Sequence, residues 1–143
     1  MDGARATFEE ALRQAQRELG DELDALLAAL GEEHAALAAG AREALDAAGA
    51  RKSAALARIG NLQHELDHLA RQLLRPRGGL TPALLARLRR AQQHNERNGA
   101  LVQARMHYIG LALQALGAAQ PTPLYGRDGR SHAGSAQGIA RSA

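Results

Sequence analysis

The chain has 143 residues, enough for one domain or a domain with a tail, and carries 33 Ala and 23 Leu against only four Val or Ile. Strands draw on β-branched and aromatic residues, helices on Ala, Leu, Arg, Glu and Gln, so with Phe8, Tyr108 and Tyr125 as the only aromatics a sheet is excluded and an all-α protein expected. Cysteine is absent, which removes disulfides, thiol catalysis and Cys-ligated zinc, and the net charge of +3 hides an asymmetry: 7 basic and 13 acidic groups in residues 1–70, 11 basic and 2 acidic in 71–143.

In chain order, the first predicted helix covers about residues 7–39. Thr7 with Glu10 three residues on reads as a capping box. Two leucine ladders follow, Leu12/Leu19/Leu26 and Leu23/Leu30/Leu37, with the 3.5-residue average spacing of a helix packing along a seam. Gly40 follows the last ladder residue as a C′ glycine would, and the interior Gly20 and Gly31 cost about 1 kcal/mol each relative to Ala. The second helix, about 41–75, carries Leu45/Lys52/Ile59/Leu66/Leu73 beside Ala48/Ala55/Leu62/Leu69 and stops at Pro76.

After the Pro76–Gly79 loop, Thr81 and Pro82 read as N-cap and first residue of a third helix over about 82–117. Its ladder is Leu88/Asn95/Val102/Ile109/Leu116, beside Leu84/Ala91/Asn98. Residues 118–143 have too few large apolar groups to offset their ordering entropy and are expected to be a flexible tail. Short loops between helices of similar length predict an up-down-up antiparallel three-helix bundle, built on a long coiled-coil hairpin, over residues 1–117. In such a bundle the acidic start of the first helix meets Arg71, Arg75, Arg77, Arg87, Arg89 and Arg90.

Polar residues interrupt the ladders at Glu33, Lys52, Asn95 and Asn98, where a seam position sacrifices stability to fix register. A turn near residue 41 sets Glu33 and Lys52 at the same height, so the two are expected to pair. His64-Glu65-Leu66-Asp67-His68 spells the H-E-x-x-H zinc-peptidase pattern. No continuation to a third ligand and no strand accompany it, and the seam count turns both histidines outward, so His64, Glu65 and His68 are read as a chance match; no metal, cofactor or catalytic group is expected. The glycines after residue 126 follow no strand, so no phosphate loop is expected, and three aromatics make no base-stacking surface.

The third helix carries more apolar surface than one seam needs. Leu101/Tyr108/Ala115 with Ala104/Leu111 forms a second line beside Val102/Met106/Ile109/Leu113/Leu116, which either packs against a second neighbouring helix or receives a partner helix. The N-terminus MDGARATFEEAL lacks the apolar run of a signal peptide, and no stretch is long enough to span a bilayer, so a cytoplasmic location without membrane insertion is expected.

Four stretches in order resemble the FlgN family of flagellar export chaperones: Leu30-x-x-Glu33-x-x-x-Leu37; Leu45 followed by Lys52 and Leu56; Asn95-x-x-Asn98-Gly99-x-Leu101; and Leu124-Tyr125-Gly126-x-x-Gly129. The resemblance spans most of the chain, although an aromatic often found early in the family's third helix is replaced by Leu84, Leu85 and Leu88. It implies a non-enzymatic cytoplasmic chaperone of type III export. Its clients would be the hook–filament junction proteins (hook-associated proteins 1 and 3), whose terminal helices it would cover and carry to the flagellar export gate. Client contacts would then fall on Leu101, Met106, Tyr108, Leu111 and Leu113, and gate docking on Leu124 and Tyr125. Two other readings stand beside this one: a basic helical nucleic-acid-binding protein using the arginines between Arg71 and Arg90, and a generic coiled-coil adaptor.

Overall fold

The computed structural model describes residues 2–75 and 78–117. It is all-α, with α1 (Asp2–Ala39), α2 (Arg42–Gln72) and α3 (Pro82–Ala115), and no strand among the described residues. Residues up to Ala104 form one compact unit and those from Arg105 onward a second.

In the first unit α1 and α2 form an antiparallel hairpin, and α3 runs up α1 parallel to it. Both leucine ladders of α1 are buried, as are Ala48, Ala55, Leu62 and Leu69 of α2 together with Ile59 and Leu66. The hairpin turn is a Schellman closure: Ala41 N–H donates to Ala36 O at 3.0 Å and Gly40 N–H to Leu37 O at 3.4 Å. Gly40 supplies the left-handed φ of 67° that this closure needs.

The end of α2 repeats the closure without the glycine. Arg75 N–H reaches Ala70 O at 2.9 Å and Leu74 N–H reaches Arg71 O at 3.1 Å, which forces Leu74 to φ 53° with its side chain 88% exposed. The helix therefore stops at Gln72, three residues short of where Pro76 alone would end it. Pro76 and Arg77 lie outside the described residues. The chain then returns tightly over the core. A Cβ on Gly79 would sit 3.1 Å from Leu12 and Leu66, and Gln16 Nε2 donates to Gly79 O at 2.8 Å. Thr81 caps α3 through its hydroxyl, 3.3 Å from Leu84 N–H.

Two expectations are corrected. Helix α1 begins at Asp2 rather than near residue 7, and the Thr7 hydroxyl donates back to Gly3 O at 2.9 Å, so no capping box forms. Upstream Asp2, Gly3, Ala4 and Arg5 carry no helix breaker, and Asp2 suits the positive end of the dipole. In α3 the buried line is Leu84/Ala91/Asn98, not Leu88/Asn95/Val102/Ile109/Leu116. Of that second line Leu88 is half-buried, while Asn95, Val102, Ile109 and Leu116 are exposed.

The second unit is described only over residues 105–117. Its helix ends at Ala115, and Gly117 adopts φ 65° with its N–H on Gln114 O at 3.1 Å. Residues 118–143, where the flexible tail and the docking pair Leu124 and Tyr125 were expected, lie outside the described residues.

Leu74 holds a left-handed conformation that costs a non-glycine residue about 1 kcal/mol, and its side chain gains almost no burial in return. Leu74→Gly is expected to raise the unfolding free energy by about 0.5–1 kcal/mol in urea titration, whereas Gly40→Leu lowers it by at least as much.

Candidate functional site

Two features rise above packing: a polar junction inside the first unit, and the apolar side chains that α3 leaves uncovered. The junction centres on Asn98, which is only 2% exposed amid Ala and Leu. Its Nδ2 donates to Leu30 O at 2.9 Å and to Glu33 Oε1 at 3.0 Å. Its Oδ1 accepts from His34 Nδ1 at 3.1 Å, an arrangement that puts the ring proton on that nitrogen. Lys52 Nζ from α2 meets Glu33 Oε2 at 3.2 Å and Oε1 at 3.3 Å, the pairing that the hairpin register requires. All three helices thus converge on one carboxylate and one amide.

Asn95, expected to join this set on the seam, is exposed and borders an open groove instead. The groove lies over α1 between α2 and α3 and encloses about 300 Å³. Leu26 and Leu30 form its floor, Leu56 and Ile59 one wall, and Leu88 and Ala91 the other. Only Lys52 brings a charge to its lining, and that charge is neutralised by Glu33.

The uncovered surface of α3 runs to its end. Met106 is 70% exposed, Tyr108 78%, Leu111 50% and Leu113 42%, while Leu101 is half-buried. Of the five residues assigned to client contact, four therefore present most or much of their surface to solvent. The neighbouring Ile109 and Leu116 do likewise, at 60% and 80%. Hydropathy alone could not have separated this stretch from core, because its periodicity is that of a packed helix.

Charge complementarity between the two halves of the sequence is only partly realised. Arg87 reaches Asp24 Oδ2 at 3.7 Å and Gly20 O at 3.3 Å. The other early carboxylates find partners elsewhere: Glu9 takes Arg5, Glu10 takes Arg13 and Arg17, and Glu22 takes Arg58 of α2 at 2.7 Å. Hydrogen bonds from Arg13 and then Arg17 hold the Glu10 carboxyl below its ordinary pKa. Among the described residues Arg71, Arg75, Arg89 and Arg90 make no ion pair.

His64, Glu65 and His68 are all exposed on α2. Among the described residues no three His, Asp or Glu side chains are grouped to hold a metal ion, and no helix is long and apolar enough to cross a membrane. Comparisons with protein-family models, curated proteins and solved structures return no match to this chain.

Removing the Asn98 amide strips Glu33 and His34 of a buried partner, and leaving such groups unsatisfied costs about 1–3 kcal/mol. Asn98→Ala should therefore lower the unfolding free energy by about 2–3 kcal/mol. A double-mutant cycle on Glu33→Gln and Lys52→Met should return a coupling of about 1 kcal/mol; additive single effects would mean that the pair contributes nothing.

Proposed function

We propose that this protein is a cytoplasmic chaperone of flagellar type III export that binds the terminal helix of a hook–filament junction protein and delivers it to the export gate. One observation carries the reading: the apolar side chains from Met106 to Leu116 that the chain leaves in solvent. That stretch has Arg105 and His107 as its only ionisable neighbours. A contiguous apolar helical face of this kind suits an amphipathic client helix, whose anchors recur at i, i+3, i+4 and i+7. The sequence resemblance adds the client class, and it places Leu124 and Tyr125 as the gate-docking pair.

The arginines that make no ion pair, Arg71, Arg75, Arg89 and Arg90, favour a second reading, binding of nucleic acid through phosphate contacts. A steep fall of DNA affinity with salt would support it.

Isothermal titration with a C-terminal fragment of the organism's own hook–filament junction protein separates the two. Micromolar or tighter binding is expected, weakened about tenfold or more by Leu111→Asp and unchanged when the chain ends at Ala118. Tyr125→Ala should leave client binding intact and lower flagellar export. Absence of heat and of a complex on gel filtration would remove the chaperone assignment.

A further inference from the structure

Written as heptads, α3 holds a continuous seam that its own core does not use. Positions a are Leu85, Gln92, Gly99, Met106 and Leu113; positions d are Leu88, Asn95, Val102, Ile109 and Leu116. Of these ten residues only Leu88 is half-buried; the other nine are exposed. The chain's own packing uses the adjacent line Leu84/Ala91/Asn98.

The two halves of the seam differ in kind. The first carries Leu85, Leu88, Gln92, Asn95 and Gly99, and the second Val102, Met106, Ile109, Leu113 and Leu116. Antiparallel pairing with an identical helix matches every member of the first half to one of the second, giving layers Leu85·Leu116, Leu88·Leu113, Gln92·Ile109, Asn95·Met106 and Gly99·Val102. A parallel pairing stacks like on like, and would leave Gln92, Asn95 and Gly99 as three successive layers with no apolar pair. Gly99 also lacks any intramolecular reason for its missing side chain. A Cβ there would meet nothing within 4 Å, yet glycine inside a helix costs about 1 kcal/mol relative to Ala. Against Val102 of a second copy that notch is filled.

We infer that the protein forms a two-fold homodimer through an antiparallel α3–α3 seam centred between Gly99 and Val102. Area favours the whole seam over its exposed end. The 34 residues of α3 run about 50 Å, and a strip about 10 Å wide gives on the order of 500 Å² of footprint per partner. Interdigitating side chains and the neighbouring groove wall at Leu56 raise this toward the roughly 800 Å² of accessible surface per partner that stable interfaces bury. Residues 105–117 alone would supply less than half as much. An isologous contact of this kind also closes on itself and does not propagate.

The dimer is independent of the chaperone reading, although it would compete with a client for Met106 and Leu113 while leaving Leu101, Tyr108 and Leu111 on the neighbouring line.

Sedimentation equilibrium of the full chain tests the inference without any client, so failure of the chaperone reading leaves its readout untouched. The wild type should sediment as a dimer. Val102→Glu and Ile109→Glu, both at exposed positions, should keep their circular-dichroism helicity; the first, which sets two carboxylates side by side at the centre, should raise the dissociation constant about 100-fold or more. Because the chain has no cysteine, direction can be read by cross-linking. A mixture of Gln92→Cys and Ile109→Cys chains should form the mixed disulfide. Each variant alone should not, since like positions then lie about 25 Å apart and a disulfide needs Cβ atoms about 4 Å apart. A monomer at every concentration, or a dimer indifferent to both glutamates, overturns the interface. Self-linking of Gln92→Cys overturns its antiparallel direction.

Discussion

The fold depends on one buried amide. Ala/Leu ladders are nearly degenerate in register, because sliding a helix by seven residues replaces leucine with leucine and changes the buried apolar area little. Asn98 removes that freedom. Its donors need Leu30 O and Glu33, its acceptor needs His34, and Glu33 in turn holds Lys52. A one-heptad slip would leave an amide and a carboxylate buried without partners, a cost of several kcal/mol against almost no apolar gain. At the other end of the first unit, Gln16 on Gly79 O and Arg87 on Gly20 O fix the same register with main-chain acceptors. Gly20 takes part by its smallness: a Cβ there would lie 2.9 Å from the Arg87 guanidinium.

What could be read from the residues, and what could not, divides along the same lines. The ladders of α1 and α2 were legible because each has one unambiguous seven-residue spacing, and both are buried. The turn at Gly40 was legible because glycine advertises a left-handed residue. Leu74 adopts the same conformation with no such signal, so the end of α2 fell three residues early. Thr7 and Glu10 matched a capping pattern, but nothing upstream of them breaks a helix and the match meant nothing. On α3 two adjacent lines were both leucine-bearing at their start. The choice between them rested on whether Asn98 or Asn95 is the buried amide, and hydropathy assigns the two the same value. Only their partners distinguish them, and partners belong to tertiary structure.

Of the candidate site, Glu33 with Lys52 followed from hairpin geometry alone, since a turn at a known position sets the height of every residue on both arms. The groove between α2 and α3 did not. Its walls are residues that separately look like ordinary seam leucines, and a vacancy between two helices leaves no trace in either one's periodicity. Charge was likewise a poor guide to pairing. Arginines two to seven residues away in α1 satisfy Glu9 and Glu10, because side chains one or two turns apart on a helix meet at no cost in tertiary order. The arginines of the second half are left for solvent or for another molecule.

The two features then act on different equilibria. Burial of the α1 and α2 ladders and the Asn98 junction set the stability of the first unit, and no residue after Ala104 belongs to that core. The side chains from Met106 to Leu116 contribute little to that stability while they face water. Their free energy is realised when something covers them, at about 25 cal/mol per Å² of apolar surface removed from solvent. Whatever binds there stabilises the helix it covers by mass action, so the order of residues 105–117 becomes a function of ligand or protein concentration while the core does not. Substitutions in the junction therefore report on folding, and substitutions after Ala104 report on association. A chain built this way can change its partner without changing its fold.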